Sequence, residues 1–121
     1  MSSQDLKATP QAGLSKVIFF NNVSFAHSVD RTGTIAISLN GKGLATLKAF
    51  SYVQVFLEKG QYDLYMEHWD LFVFKSNHKL QIDKDEVFVE VSPTATSNKY
   101  KILDQLPSGF EEKYKPAYVS Q

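Results

Sequence analysis

The 121-residue chain contains no cysteine, so a disulfide scaffold, a thiol nucleophile and a thiolate metal site are all excluded. It has no charge of one dominant sign: thirteen basic and thirteen acidic residues cancel, and no Lys/Arg cluster supplies the footprint that phosphate neutralisation requires. Nucleic acid is therefore not an expected partner. No apolar run approaches the roughly 20 residues of a spanning helix, and the start lacks the basic and apolar regions of a secretory signal, so the chain as given reads as soluble. Helical periodicity is scarce too, as are the Gly-x-Ser-x-Gly elbow, the phosphate loop and the dinucleotide fingerprint. What remains is a chain long enough to bury one core without a staple.

Short β-type segments fill most of it. Residues 1–15 mix Ser, Gln, Pro and Gly with few large apolar side chains, too few to offset the entropy of ordering, and read as a flexible tether. From Lys16 the run KVIFFNN places Val17, Ile18, Phe19 and Phe20 in succession, as in a strand covered on both faces. TIAISLN alternates and meets Asn40-Gly41, a strong hairpin signal, although Gly43 leaves the register of the return strand open to a bulge.

The stretch from Tyr52 to Trp69 predicts a hairpin turning at Lys59-Gly60, with Val55 opposite Leu64 and Val53 opposite Met66 on an apolar face. Its other face would carry Tyr52, Phe56, Tyr65 and Trp69 among polar neighbours. A second hairpin is expected across the charged turn DKDE, with Leu80 opposite Val89 and Ile82 opposite Val87. SNKYKILDQL suits an edge strand and GFEEKYK a short helical turn ended by Pro116. These elements predict an all-β domain over 16–110 with a C-terminal tail over 111–121. Its architecture would be an antiparallel two-sheet sandwich of seven or eight strands, immunoglobulin-like in its layering, or a partly closed barrel.

Several positions form a recognisable order: Lys16 to Phe20, Leu39-Asn40-Gly41-Lys42, Leu47, Phe50 to Tyr52, Lys59-Gly60 before Tyr62 and Leu64, and Val87 to Val91. Over about residues 16 to 92 the pattern resembles a bacterial family, domain of unknown function 2846, whose members include short envelope lipoproteins. The resemblance implies a prealbumin-like β-module at the periplasm or the periplasmic face of the outer membrane, and it transfers no functional residue. Membrane attachment would require an N-terminal lipid. This chain has no cysteine to carry one; Met1 would stand where a mature lipoprotein has its first cysteine, with residues 2–15 as the leash.

Among chemically capable residues, His27, His68 and His78 have no spacing that favours a shared metal, and neither a metal nor a cofactor is expected. Asp63, Glu67, Asp70, Asp83, Asp85 and Glu86 suit wet strand faces and a solvated turn better than an acid/base pair across a cleft. The expectation is a noncatalytic envelope module offering a β-surface or a sheet edge to a protein partner. An alternative is a carbohydrate-binding sandwich that stacks sugars on Tyr52, Tyr65 and Trp69. The candidate binding set is thus Tyr52, Phe56, Tyr65 and Trp69, unless that face lies beneath Phe110, Tyr114 and Tyr118.

Overall fold

A computed structural model describes residues 11–23, 33–69, 73–94 and 97–117. Nine strands and one short helix are present among them: β1 Leu14–Asn21, β2 Ile35–Leu39, β3 Lys42–Leu47, β4 Ser51–Glu58, β5 Gly60–Trp69, β6 Val73–Ile82, β7 Glu86–Pro93, β8 Asn98–Leu103, α1 Phe110–Lys113 and β9 Lys115–Pro116. They form an all-β sandwich that is not closed into a barrel. One sheet has the order β8-β7-β1-β4-β9 and the other β3-β2-β5-β6.

The four-stranded sheet is antiparallel throughout. The five-stranded sheet is mixed, because β1 runs parallel to β7 and β4 parallel to β9. The expected purely antiparallel pairing is corrected at those two junctions. A parallel pair requires a connection that leaves and re-enters the sheet, and here the chain makes that excursion through the facing sheet.

The run Val17 to Phe20 occupies a central strand and feeds two cores. Val17 and Phe19 join the inter-sheet core with Ile35, Ile37, Leu47, Val53, Leu64, Met66, Leu80, Ile82, Val89 and Val91. Ile18 and Phe20 point the other way, into a second cluster with Tyr52, Phe88, Phe110 and Tyr114. Four consecutive apolar residues are the direct sequence expression of a strand covered twice.

The Asn40-Gly41 hairpin forms with φ of 51° and 83°, both positive as a type I′ turn requires. Its return strand carries a bulge: Ile37 faces Ala45 while Ser38 faces Gly43, leaving Leu44 as the extra residue.

The two other expected hairpins are sheet-to-sheet crossings. β4 pairs with β1 and β9, whereas β5 pairs with β2 and β6, so the chain changes sheet at Lys59-Gly60 and Val55 faces Val17 instead of Leu64. Likewise Leu80 faces Tyr62, and Val89 lies between Phe19 and Ile102. Gly60, at φ 151°, takes the crossing in a conformation that a side chain disfavours. The two crossings lie side by side, joined by Lys59 to Asp85 at 2.9 Å. The apolar parity was read correctly at both, since a crossing and a hairpin aim the same alternate residues at one interior.

The domain extends beyond the expected limits at both ends. β1 begins at Leu14, and Ser15 is fully buried. At the other end α1 lies against the outer face of the five-stranded sheet: Phe110 stacks on Tyr114 at 4.6 Å and meets Phe20 and Tyr52 edge-on or tilted at 5.3 Å. Tyr114 is 3% exposed, and β9 then adds to β4. Residues 111–117 therefore belong to the packed structure; Tyr118 and residues 1–10 lie outside the described set.

Candidate functional site

Alternation along β4 and β5 gives each aromatic candidate a definite side, and the crossing at Lys59-Gly60 sends the two strands to different sheets. Tyr52 and Phe56 consequently lie on the outer face of the five-stranded sheet, Tyr65 and Trp69 on the outer face of the four-stranded one. The single aromatic face expected from a hairpin is not assembled. Tyr52 is buried beneath Phe110, and its phenol pKa is raised by burial and by the charge of Glu111. Phe56 is half-buried beside Lys16, which makes an ion pair with Glu86 at 3.1 Å.

The Tyr65 and Trp69 side differs in cover: among the described residues, no helix or strand lies over it. Trp69 is 49% exposed and Val73 44%, and they are direct cross-strand partners at the end of the β5–β6 pair. Two large apolar side chains in facing positions make one contiguous patch instead of two isolated exposures. Next along the strands come Glu67 facing Lys75 and Tyr65 facing Asn77, with the small residues Ala36 and Ser38 of β2 on the other flank. The Tyr65 hydroxyl donates to Glu67 Oε1 at 2.7 Å, which fixes the ring and raises its pKa, burial and the Glu67 charge adding to the effect. The result is an apolar end with a charged and hydroxylated margin, an arrangement suited to non-covalent recognition.

The histidines do other work. His68 is fully buried; its Nδ1 lies 2.6 Å from Asn98 Oδ1, and its ring stacks on Phe74 at 5.1 Å. Asn98 itself donates to the carbonyls of Met66 and Phe74 at 3.2 Å, so one β8 side chain clasps β8 to β5 and β6 across the interior. Tyr100 adds a second tie by donating to the Lys79 carbonyl at 2.8 Å. His78 packs edge-on against Tyr100 and lies 2.9 Å from the Ser76 hydroxyl; burial lowers its pKa. At the other side of the sandwich Asn21 makes an equivalent tie, donating to the carbonyls of Gly33 and Leu47. His27 and Asp70 lie outside the described residues.

The carboxylates are dispersed. Asp63 is paired with Lys79, Asp85 with Lys59, Glu86 with Lys16 and Glu67 with the Tyr65 hydroxyl. Among the described residues no group of three His, Asp or Glu could hold a metal ion. Sequence reasoning did not find Val73, because its role depends on which residue faces it across the β5–β6 register. It did not find Asn98 either, although a polar residue opening an edge strand at an inward position was the available signal. Comparison of the chain with family models, with curated proteins and with solved structures found no match.

Proposed function

We propose that this protein is a noncatalytic binding or assembly module that presents the outer face of its four-stranded sheet, centred on Trp69 and Val73, to a protein partner. The observation carrying this reading is the asymmetry of the two outer faces. One is sealed by Phe110 and Tyr114 into a second core, while the other bears a facing pair of half-exposed apolar residues beside Tyr65 and Glu67. Half-exposed aromatics ringed by polar groups are typical anchors of protein interfaces. The resemblance to domain of unknown function 2846 adds a bacterial envelope setting; the tether expected over residues 1–15 is shorter at its C-terminal end, where Leu14 and Ser15 already belong to β1. Pulldown from a bacterial envelope extract tests the proposal: wild-type protein should retain a specific protein that Trp69→Ala loses, while the variant still unfolds in one cooperative transition, its stability lowered by about 1–2 kcal/mol through the lost packing on Val73. Equal retention by both would refute it.

A carbohydrate ligand is the second reading, favoured by one geometric fact. Tyr65 and Trp69 project from the same face of β5, four residues and so roughly 13 Å apart, with the Glu67 carboxylate between them. Tyr52, beneath Phe110, is no part of such a platform. Binding on a glycan array that Trp69→Ala abolishes, with no protein retained in the pulldown, would replace the first reading by the second.

A further inference from the structure

A groove of about 480 Å³ opens between the end of β3, the β3–β4 connection and β9, on the side of the sandwich away from β6. Its apolar lining comes from Ala49, Phe50, Pro116 and Ala117, and its charges are Lys48 and Lys115, with no carboxylate among the described lining residues. Neither lysine has an ion-pair partner among the described residues. In a chain with equal numbers of acidic and basic residues, this is a local excess of positive charge around an apolar floor.

The floor is held rigidly. The turn from Lys48 to Ser51 is closed by Ser51 N–H and Oγ, both donating to the Lys48 carbonyl, at 3.1 and 2.8 Å. Phe50 sits at the turn position that favours glycine, with φ 58°. Its N–H donates to the Asn21 carbonyl and its own carbonyl accepts from Lys115 N–H, each at 3.0 Å, so the unusual backbone joins β1 to β9. The Lys113 ammonium stands 4.9 Å above the Phe50 ring, bringing a third cation to this residue.

We propose that the groove binds a small amphiphilic anion, its carboxylate or phosphate held by Lys48 and Lys115 and its short apolar body resting on Phe50 and Pro116. The size suits a small molecule, and the combination of an apolar surface with two cations that have no ion-pair partner among the described residues selects for both halves of such a ligand. The site is separate from the Trp69 patch, so either can fail without the other.

The test is titration of the isotope-labelled full chain, followed by backbone amide resonances. Octanoate and octyl phosphate should give saturable shifts at Lys48, Phe50 and Ala117; octanol, which has the same body without the charge, should bind much more weakly. Each of Lys48→Gln and Lys115→Gln should weaken octanoate binding by up to roughly fivefold, and raising the salt concentration should do the same. Ala49→Trp should block the groove without altering its charge or the thermal transition, and Trp69→Ala should leave octanoate binding unchanged. Shifts that do not saturate, octanol binding as well as octanoate, a Lys48→Gln/Lys115→Gln variant binding like wild type, or binding retained in Ala49→Trp would each overturn the assignment. A preference for octyl phosphate over octanoate, or the reverse, identifies which anion the lysines are arranged to hold.

Discussion

Asn98→Ala offers the sharpest test of how the two sheets are held together. Asn98 is 4% exposed and makes three contacts across the interior: two donated to the carbonyls of Met66 and Phe74, and one between its Oδ1 and His68 Nδ1. A typical intramolecular hydrogen bond contributes about 1 kcal/mol net. The two carbonyl contacts are long, at 3.2 Å, and together are worth on the order of 1 kcal/mol. The contact to His68 is worth more, since its loss removes the Nδ1 partner of a fully buried ring at a cost of about 1–3 kcal/mol. The expected destabilisation is therefore on the order of 2–4 kcal/mol, a large share of the roughly 5–15 kcal/mol that such domains possess. At about 4 °C per kcal/mol for a chain of this size, the midpoint should fall by roughly 8–16 °C. Urea unfolding followed by circular dichroism measures the free energy, and amide hydrogen exchange should show faster opening of β6 and β8 than of β1. Lys99→Ala, an exposed neighbour on the same strand, is the control and should be nearly silent. A loss below about 1 kcal/mol for Asn98→Ala would refute the clasp.

Further outcomes follow from the same structure. Phe110→Ala should cost about 3–5 kcal/mol in urea unfolding, because its ring contacts Phe20, Tyr52 and Tyr114; a cost below 1 kcal/mol would mean that α1 is not part of the core. Burial depresses the pKa of His78, so the unfolded chain binds its proton more readily. Stability should be complete above pH 6.5 and decline as pH falls through the lowered folded value, and His78→Gln should flatten that part of the profile. The Tyr114 hydroxyl is pushed up to about 12 by burial and by the Glu90 charge. Ionisation then favours the unfolded chain between pH 10 and about 12, so stability should drop across that window, and Tyr114→Phe should reduce the drop.

Much of the fold was legible because side-chain parity is a local property. Four apolar residues at Val17 to Phe20 announced a strand covered twice, and Asn40-Gly41 announced a tight turn with both residues at positive φ. Sheet membership is not local. At Lys59-Gly60 and again at residues 83–85 the oily faces of the flanking strands coincide whether the chain turns back beside itself or passes to the opposite layer. That one ambiguity separated the aromatic set: Tyr52 and Phe56 went to one exterior, Tyr65 and Trp69 to the other. The burial of Lys16 and Gln54 was illegible for a related reason. Both are polar residues on the outward side of their strands, a side that reads as wet until partners distant in the chain are known, as Glu86 is for Lys16.

The position of β1 between β7 and β4 has a consequence for biosynthesis. Its greasiest segment, Val17 to Phe20, leaves the ribosome well before β7 can flank it and before Phe110 and Tyr114 can shield its other surface. During that interval the nascent chain displays a short β-prone stretch of the kind that seeds aggregates, and the non-local pairing it awaits is slow to form. A holding chaperone that engages this segment would protect the yield of folded molecules without altering the stability of the finished sandwich.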